Sequence, residues 1–221
     1  MNVVVYVPLF DNFEDLPMPN PDGKLPKDCK VRHVCLTDKS CPQSVEGWEY
    51  EFPRRYFKDD PRRESRRCIA LSHKYFPDAD VTIMHGASLR LLATTAEVLE
   101  WLDDADMAAF KHPHRDCIYD EAKVVLALGK DAAANVEPQM EAYKAEGFPA
   151  HYGLAALTML VRRHTDAVAA FNTFWWGQVK QYSVRDQLSF NYVCWKLGMT
   201  YGTFPGELHD TEHWVWRRIH G

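Results

Sequence analysis

Met1-Asn2-Val3-Val4-Val5-Tyr6-Val7-Pro8-Leu9-Phe10 opens the chain, and its reading decides the fold. Residues 3–7 are β-branched or aromatic, the composition of a buried strand, and Pro8 ends the run. A buried strand that starts so early and feeds a polar loop is typical of α/β folds that bind a ligand at their strand ends. Phe10 and Phe13 sit among turn-forming and acidic residues in the loop that follows. Residues 17–26, rich in Pro, Asn, Asp and Gly, must also be loop.

Working outward, Val31-Arg32-His33-Val34-Cys35-Leu36-Thr37 and Trp48-Glu49-Tyr50-Glu51-Phe52 alternate polar with apolar residues and are expected as the second and third strands. Val81-Thr82-Ile83-Met84 is a short buried strand running into His85-Gly86-Ala87-Ser88. With the apolar residues 89–92 beyond it, that turn is a natural corner for a site. A helix is expected over 68–76, stopped by Pro77. Amphipathic helices are expected over 96–101, 120–128 and 136–146. Residues 153–164 and 165–181 add two further apolar segments, and no internal repeat is visible.

The chain has 221 residues, 46% hydrophobic and 26% charged, ample for a substantial core. Its net charge of −5 provides no overall field to hold a polyanion, so any nucleic-acid contact has to come from a local patch. The N-terminal residues lack a positive n-region and are expected to be neither a signal peptide nor an anchor. No stretch approaches the roughly 20 apolar residues of a spanning helix. Six cysteines, none in a C-x-x-C pair, spell out neither a zinc knuckle nor a redox motif and are expected as thiols, with disulfides the alternative.

Several constellations carry chemistry. Arg54, Arg55, Lys58, Arg62, Arg63, Arg66 and Arg67 form a basic stretch interleaved with Tyr56 and Phe57; it is either an anion site or a solvated face. His112-Pro113-His114-Arg115-Asp116-Cys117 suits an anion, a metal or a sugar, and otherwise is a turn satisfying its own backbone. Ser183-Val184-Arg185-Asp186-Gln187 sets a guanidinium, a carboxylate and a carboxamide side by side. Its structural alternative is a capping box, with Ser183 as cap and Asp186 reaching back. Trp175-Trp176 offers indole planes for a sugar or base, or simply core packing. His209 and His213, four residues apart, share one helical face in the manner of metal ligands, or belong to a tail that docks on the body.

As a set, these motifs resemble the glycosyltransferase domain of the plant TOD/MUCI hexosyltransferase-like family and its bacterial and viral relatives. The matching residues are Tyr75-Phe76-Pro77-Asp78-Ala79-Asp80, Ile83-Met84-His85-Gly86, His112-Pro113-His114-Arg115-Asp116-Cys117-Ile118-Tyr119, Gly153-Leu154, Asn172 with Trp175-Trp176, and Arg185-Asp186-Gln187-Leu188-Ser189-Phe190. The resemblance covers roughly residues 62–195. It implies an α/β fold of GT-A type, a mixed, mostly parallel central sheet flanked by helices. The chain is expected to form one domain, with residues 1–110 as the nucleotide-sugar half and 111–221 as the acceptor and catalytic half.

By the same resemblance, a nucleotide sugar, UDP-sugar favoured, is the donor. Tyr6, Pro8 and Phe10 would lie near its base, while Arg62, Arg63, Arg66 and the turn His85, Gly86, Ala87, Ser88 would meet its diphosphate and sugar. His112, His114, Arg115, Asp116, Trp175, Trp176 and Arg185 are expected at the acceptor or sugar, and Asp186 and Gln187 at the reacting groups. One departure concerns the metal. Where the family has an aspartate opening a D-x-D-like motif, this chain has His85-Gly86-Ala87. Imidazole binds Mn²⁺ but suits Mg²⁺ poorly, and Ala87 has no ligand atom. Either His85 joins His209 or His213 at a metal, or arginines neutralise the leaving diphosphate.

The expected reaction moves a hexose or pentose to a hydroxyl of a polysaccharide, a glycolipid or a modified base of viral DNA, in the cytoplasm of a bacterium or a virus-infected cell. A nucleotide-sugar hydrolase and a degenerate carbohydrate- or nucleotide-binding module are the alternatives.

Overall fold

The computed structural model describes residues 1–38, 44–206, 208 and 212–216. The first half contains β1 (Asn2–Leu9), β2 (Lys30–Thr37), β3 (Glu49–Glu51), α1 (Pro61–Ala70), α2 (Ser72–Tyr75), β4 (Val81–His85), β5 (Leu89–Leu91) and α3 (Thr95–Leu102). The second half contains β6 (Met107–Lys111), α4 (Ile118–Ala127), α5 (Ala133–Ala145), β7 (Ala155–Arg163), α6 (Asp166–Gln181), α7 (Gln187–Leu197), β8 (Gly202–Thr203) and β9 (Trp214–Trp216). Seven strands form one sheet in the order β3-β2-β1-β4-β7-β6-β8, and β5 pairs with β9 separately. All pairings in the large sheet are parallel except those of β7, which runs antiparallel to both β4 and β6. This is the expected mixed, mostly parallel sheet flanked by helices.

The period of two in β1 sorts its side chains between two cores. Val4 and Tyr6 face the core shared with α1, α6 and α7, whereas Val3 and Val5 face the core that takes Leu89 and Leu91 of β5, Val98 of α3 and Trp214 of β9. Both faces of the strand are therefore covered, which is why it reads as an unbroken apolar run. The same alternation in β7 puts Leu160 in the first core and Met159 and Val161 in the second.

Two elements differ from expectation in an instructive way. The helix expected over 68–76 begins earlier, at Pro61: Asp60 caps it by accepting the Arg63 N–H at 2.8 Å, and proline at the first position lacks only an N–H the helix would not use. The basic stretch is thus largely helix α1. A break at Leu71 separates it from the single turn α2. The region 183–187 forms no capping box. Ser183 Oγ donates to Asp131 Oδ2 at 2.6 Å, and Asp186 itself caps α7 by accepting the Gln187 N–H at 3.0 Å. Strand β6, short and alanine-rich, carried no sequence signal strong enough to be expected.

Among the described residues no helix is long and apolar enough to cross a membrane. Cys29, Cys35, Cys68, Cys117 and Cys194 are free thiols, and Cys41 lies outside the described residues.

Candidate functional site

The carboxyl ends of β1 and β4 open into a cleft of about 630 Å³. In an open α/β sheet this is where ligands bind, because strand ends and loops converge there without a covering helix. Pro8 and Phe10 line it from β1 and the loop beyond, and Gly86, Ala87 and Ser88 from the turn after β4. Helix α1 contributes Arg62 and Arg66, four residues apart and therefore on one helical face. The loop after β6 adds His112, His114 and Arg115, and the start of α7 adds Arg185, Asp186 and Gln187. Sequence candidates from both halves of the chain thus meet in one place. Ser65, Lys130, Asp11, Glu14 and Glu121 also line the cleft and had not been singled out. Of these, Asp11 and Glu14 had a sequence signal, since they belong to the acidic loop that the first strand feeds.

Asp186 is held on several sides. Its Oδ1 caps α7, its Oδ2 lies 3.2 Å from Arg66 Nε, and its carbonyl accepts from Trp175 Nε1 at 3.2 Å and Ser189 Oγ at 3.0 Å. A carboxylate so fixed in a cleft can accept a proton or orient a hydroxyl. Gln187 spends its amide N–H on the Ala155 carbonyl at 2.7 Å, which ties α7 to β7. Arg185 follows Ser183, whose Oγ accepts the Arg185 N–H at 3.0 Å. Burial, reinforced by the neighbouring Arg66 charge, lowers the pKa of the Arg185 guanidinium.

The histidine loop is organised by its own backbone. His112 Nδ1 accepts the N–H groups of His114 at 3.2 Å and Arg115 at 3.0 Å, a role that requires the neutral ring. Burial lowers the His112 pKa, in keeping with that role, although the Glu121 charge opposes the shift. Arg115 Nε donates to Glu121 Oε2 at 2.6 Å. Asp116, from the same loop, turns away from the cleft and accepts from His151 Nδ1 at 2.7 Å.

Other candidates stand outside the cleft for identifiable physical reasons. Tyr6 is fully buried, and its hydroxyl accepts from Arg162 at 3.1 Å, so it belongs to the core beneath the cleft. Arg63 lies on another face of α1 and donates to the Val179 carbonyl at 2.6 Å, pinning α1 to α6. The Trp175 indole is fully buried, while Trp176 packs edge-on against Phe57 at 5.7 Å. The tandem indoles are therefore not a stacking platform. His85 is 1% exposed and sits beside Trp48, its pKa pushed down to about 4 by burial. His213 packs on Trp101 at 5.0 Å, and His209 lies outside the described residues.

The fold family's metal site is not matched by the residues present. After β4, Gly86 and Ala87 have no ligating side chain, and the His85 imidazole is enclosed rather than in the cleft. Among the cleft's carboxylates, Asp11 is paired with Arg55, Glu121 with Arg115 and Asp186 with Arg66, and Glu14 is not free either. Hard divalent cations need several oxygen ligands converging on one point, and no such set is found among the described residues. The one group among the described residues able to converge on an ion, Cys117, Asp120 and His151, contains no residue of the cleft lining.

Comparison with known proteins agrees with this architecture. A probable hexosyltransferase, MUCI70 of Arabidopsis thaliana, is 24% identical over 218 residues, covering 88% of this chain and 37% of the relative. The chain thus spans well under half of that protein. Among solved structures, the bifunctional glycosyltransferase WbbM superposes with a TM-score of 0.52 at 14% identity, over 91% of this chain and 38% of that one. Mouse xyloside xylosyltransferase 1 gives a TM-score of 0.52 at 7% identity, over 92% and 85% of the two chains. Those likenesses establish the fold, that of GT-A glycosyltransferases. Residues 36–210 match the family described as the TOD1/MUCI70 glycosyltransferase-like domain, and with that span covered the chain belongs to that family.

Proposed function

We propose that this chain is a glycosyltransferase that moves a sugar from a nucleoside diphosphate sugar to an acceptor hydroxyl in the cleft at the ends of β1 and β4. The observation that carries the reading is the meeting of Arg62, Arg66 and Arg185 with Asp186 in one cavity large enough for such a donor. In the reaction, the bond between the sugar's anomeric carbon and the phosphate oxygen breaks, and its electron pair stays on the diphosphate. A lone pair of the acceptor hydroxyl oxygen forms the new bond to that carbon, and the hydroxyl proton passes to Asp186. The transition state is oxocarbenium-like, so the arginines act by stabilising charge that gathers on the departing diphosphate.

Pro8 and Phe10 offer an apolar wall for the base, and the compact turn Gly86-Ala87-Ser88 lets donor atoms approach the backbone closely. UDP-sugars are the favoured donors, with a hexose or pentose as the group moved. His112, His114 and Arg115 face the same cavity and suit the acceptor side. A glycan or a modified base of DNA is the acceptor, and the cytoplasm of a bacterium or virus-infected cell the place of action.

The test is a turnover screen of the purified protein with UDP-, GDP-, CMP- and dTDP-sugars, following free nucleotide with and without acceptor sugars. Release that accelerates with an acceptor supports transfer. Release at one rate regardless of acceptor makes the protein a hydrolase, and no release from any donor removes the reading.

A further inference from the structure

We infer that the donor's diphosphate is bound here by a guanidinium cluster, Arg62, Arg66 and Arg185, in place of a divalent cation. The inference rests on the donor reading above and specifies how that site works. A nucleotide sugar carries two negative charges on its diphosphate and gains a third as the glycosidic bond breaks. A divalent ion answers this with two positive charges held by carboxylates. The turn Gly86-Ala87-Ser88 has no carboxylate, and the carboxylates of the cleft wall are already occupied. Positive charge comes instead from three guanidinium groups, supplemented by Lys130.

The arginines are poised for an anion. Neither Arg66 Nε nor Arg185 Nε makes a hydrogen bond in the protein, although both atoms are shielded from solvent. The 3.2 Å approach of Arg66 Nε to Asp186 Oδ2 is an ion pair without hydrogen-bond alignment. Arg55 Nε and Arg162 Nε share that feature outside the cleft; what is particular to Arg66 and Arg185 is that they repel each other along one cavity wall, which an anionic ligand relieves. Among the described residues Arg62 makes one hydrogen bond, from Nη1 to the Lys130 carbonyl at 3.2 Å. Guanidinium forks match phosphate oxygens in pairs, whereas a single ammonium does not. In the reaction the cluster bears the extra charge left on the diphosphate when the electron pair of the broken bond settles there.

Calorimetric titration of the full chain with UDP, GDP, CDP and dTDP, each in EDTA and in Mn²⁺, tests this, with the matching nucleoside monophosphate as reference. Binding of one diphosphate with affinities within about threefold in the two conditions is expected. Arg185→Gln should then weaken the diphosphate by about tenfold or more and the monophosphate much less. If Arg185→Gln melts abnormally, the exposed Arg62→Gln gives the same comparison. Diphosphate binding that Mn²⁺ strengthens more than about tenfold, or that both variants leave unchanged, overturns the guanidinium assignment and leaves the donor reading standing. No binding of any diphosphate in either condition overturns both.

Discussion

Two arginine sites, one above the other, show how the same side chain does opposite work. In the core, Arg162 of β7 is fully buried and well partnered: it donates to the Ile69 carbonyl at 2.6 Å, the Ala70 carbonyl at 3.3 Å, Asn172 Oδ1 at 2.5 Å and the Tyr6 hydroxyl at 3.1 Å. Ile69 and Ala70 end α1, so the guanidinium caps the negative pole of that helix and locks it to the sheet. One turn and more towards the start of the same helix, Arg62 and Arg66 face the cleft, where Arg66 Nε meets Asp186 only as an ion pair and Arg185 Nε makes no hydrogen bond in the protein. Arg162 Nε also lacks a hydrogen bond, so what separates the two sites is place: a cation enclosed by carbonyls is a structural bolt, and one lining an open cavity is a place for a ligand.

The largest expected effect breaks the cleft and spares the core. Asn caps a helix about as well as Asp, so Asp186→Asn should melt close to the parent, while transfer falls by about 10²–10⁴-fold through loss of the carboxylate. Near-normal turnover in a donor assay would remove Asp186 from the chemistry. The converse change is Arg162→Met, which leaves two helix-end carbonyls, Asn172 and Tyr6 without their donor. Stability should fall by about 3–5 kcal/mol, measured by urea unfolding, and nucleotide affinity per folded molecule should stay unchanged. Equal losses in both quantities would mean that the core site and the cleft are not separable.

A smaller effect sharpens the contrast through pH. Burial lowers the His85 pKa to about 4, from 6.5 when unfolded, so the unfolded chain binds the extra proton first on acidification. The contribution of His85 is complete above pH 6.5 and is lost as pH falls towards 4, amounting to about 3 kcal/mol. His85→Gln should therefore flatten the acid limb of the stability profile between those values. An unchanged limb would show that the ring is accessible to protons, and so nearer the cleft than its burial indicates.

Much of the fold was legible because the relevant signals are local. The β-branched run of β1, the alternation in β2 and the proline or glycine stops need only neighbouring residues to be read. Residues 153–164 were visible as apolar but not assignable, since a strand buried on both faces lacks the alternation that identifies a strand. Arg54 to Arg67 concealed a helix because the charges masked its shallow apolar face, although Asp60-Pro61 was a usable start signal. For the candidate site, Arg62 and Arg66 were separable from Arg63 only once the helical phase was known. The Trp175-Trp176 pair shows the same limit: α6 turns one indole into the core and sets the other against Phe57, and neither meets the cleft.

Composition and spacing were enough for an α/β architecture and for the set of polar residues from which a site would be drawn, while the GT-A type and the family came from the resemblance of the motifs to a known family. They left open which of those residues share a cavity and which are spent on packing. Tyr6 against Arg162, Arg63 against α6, His85 against Trp48 and Asp116 against His151 are all long-range pairings. Such partners are brought together by the sheet order and by the phase of each helix, and residues distant in sequence acquire a common environment only when both cores close.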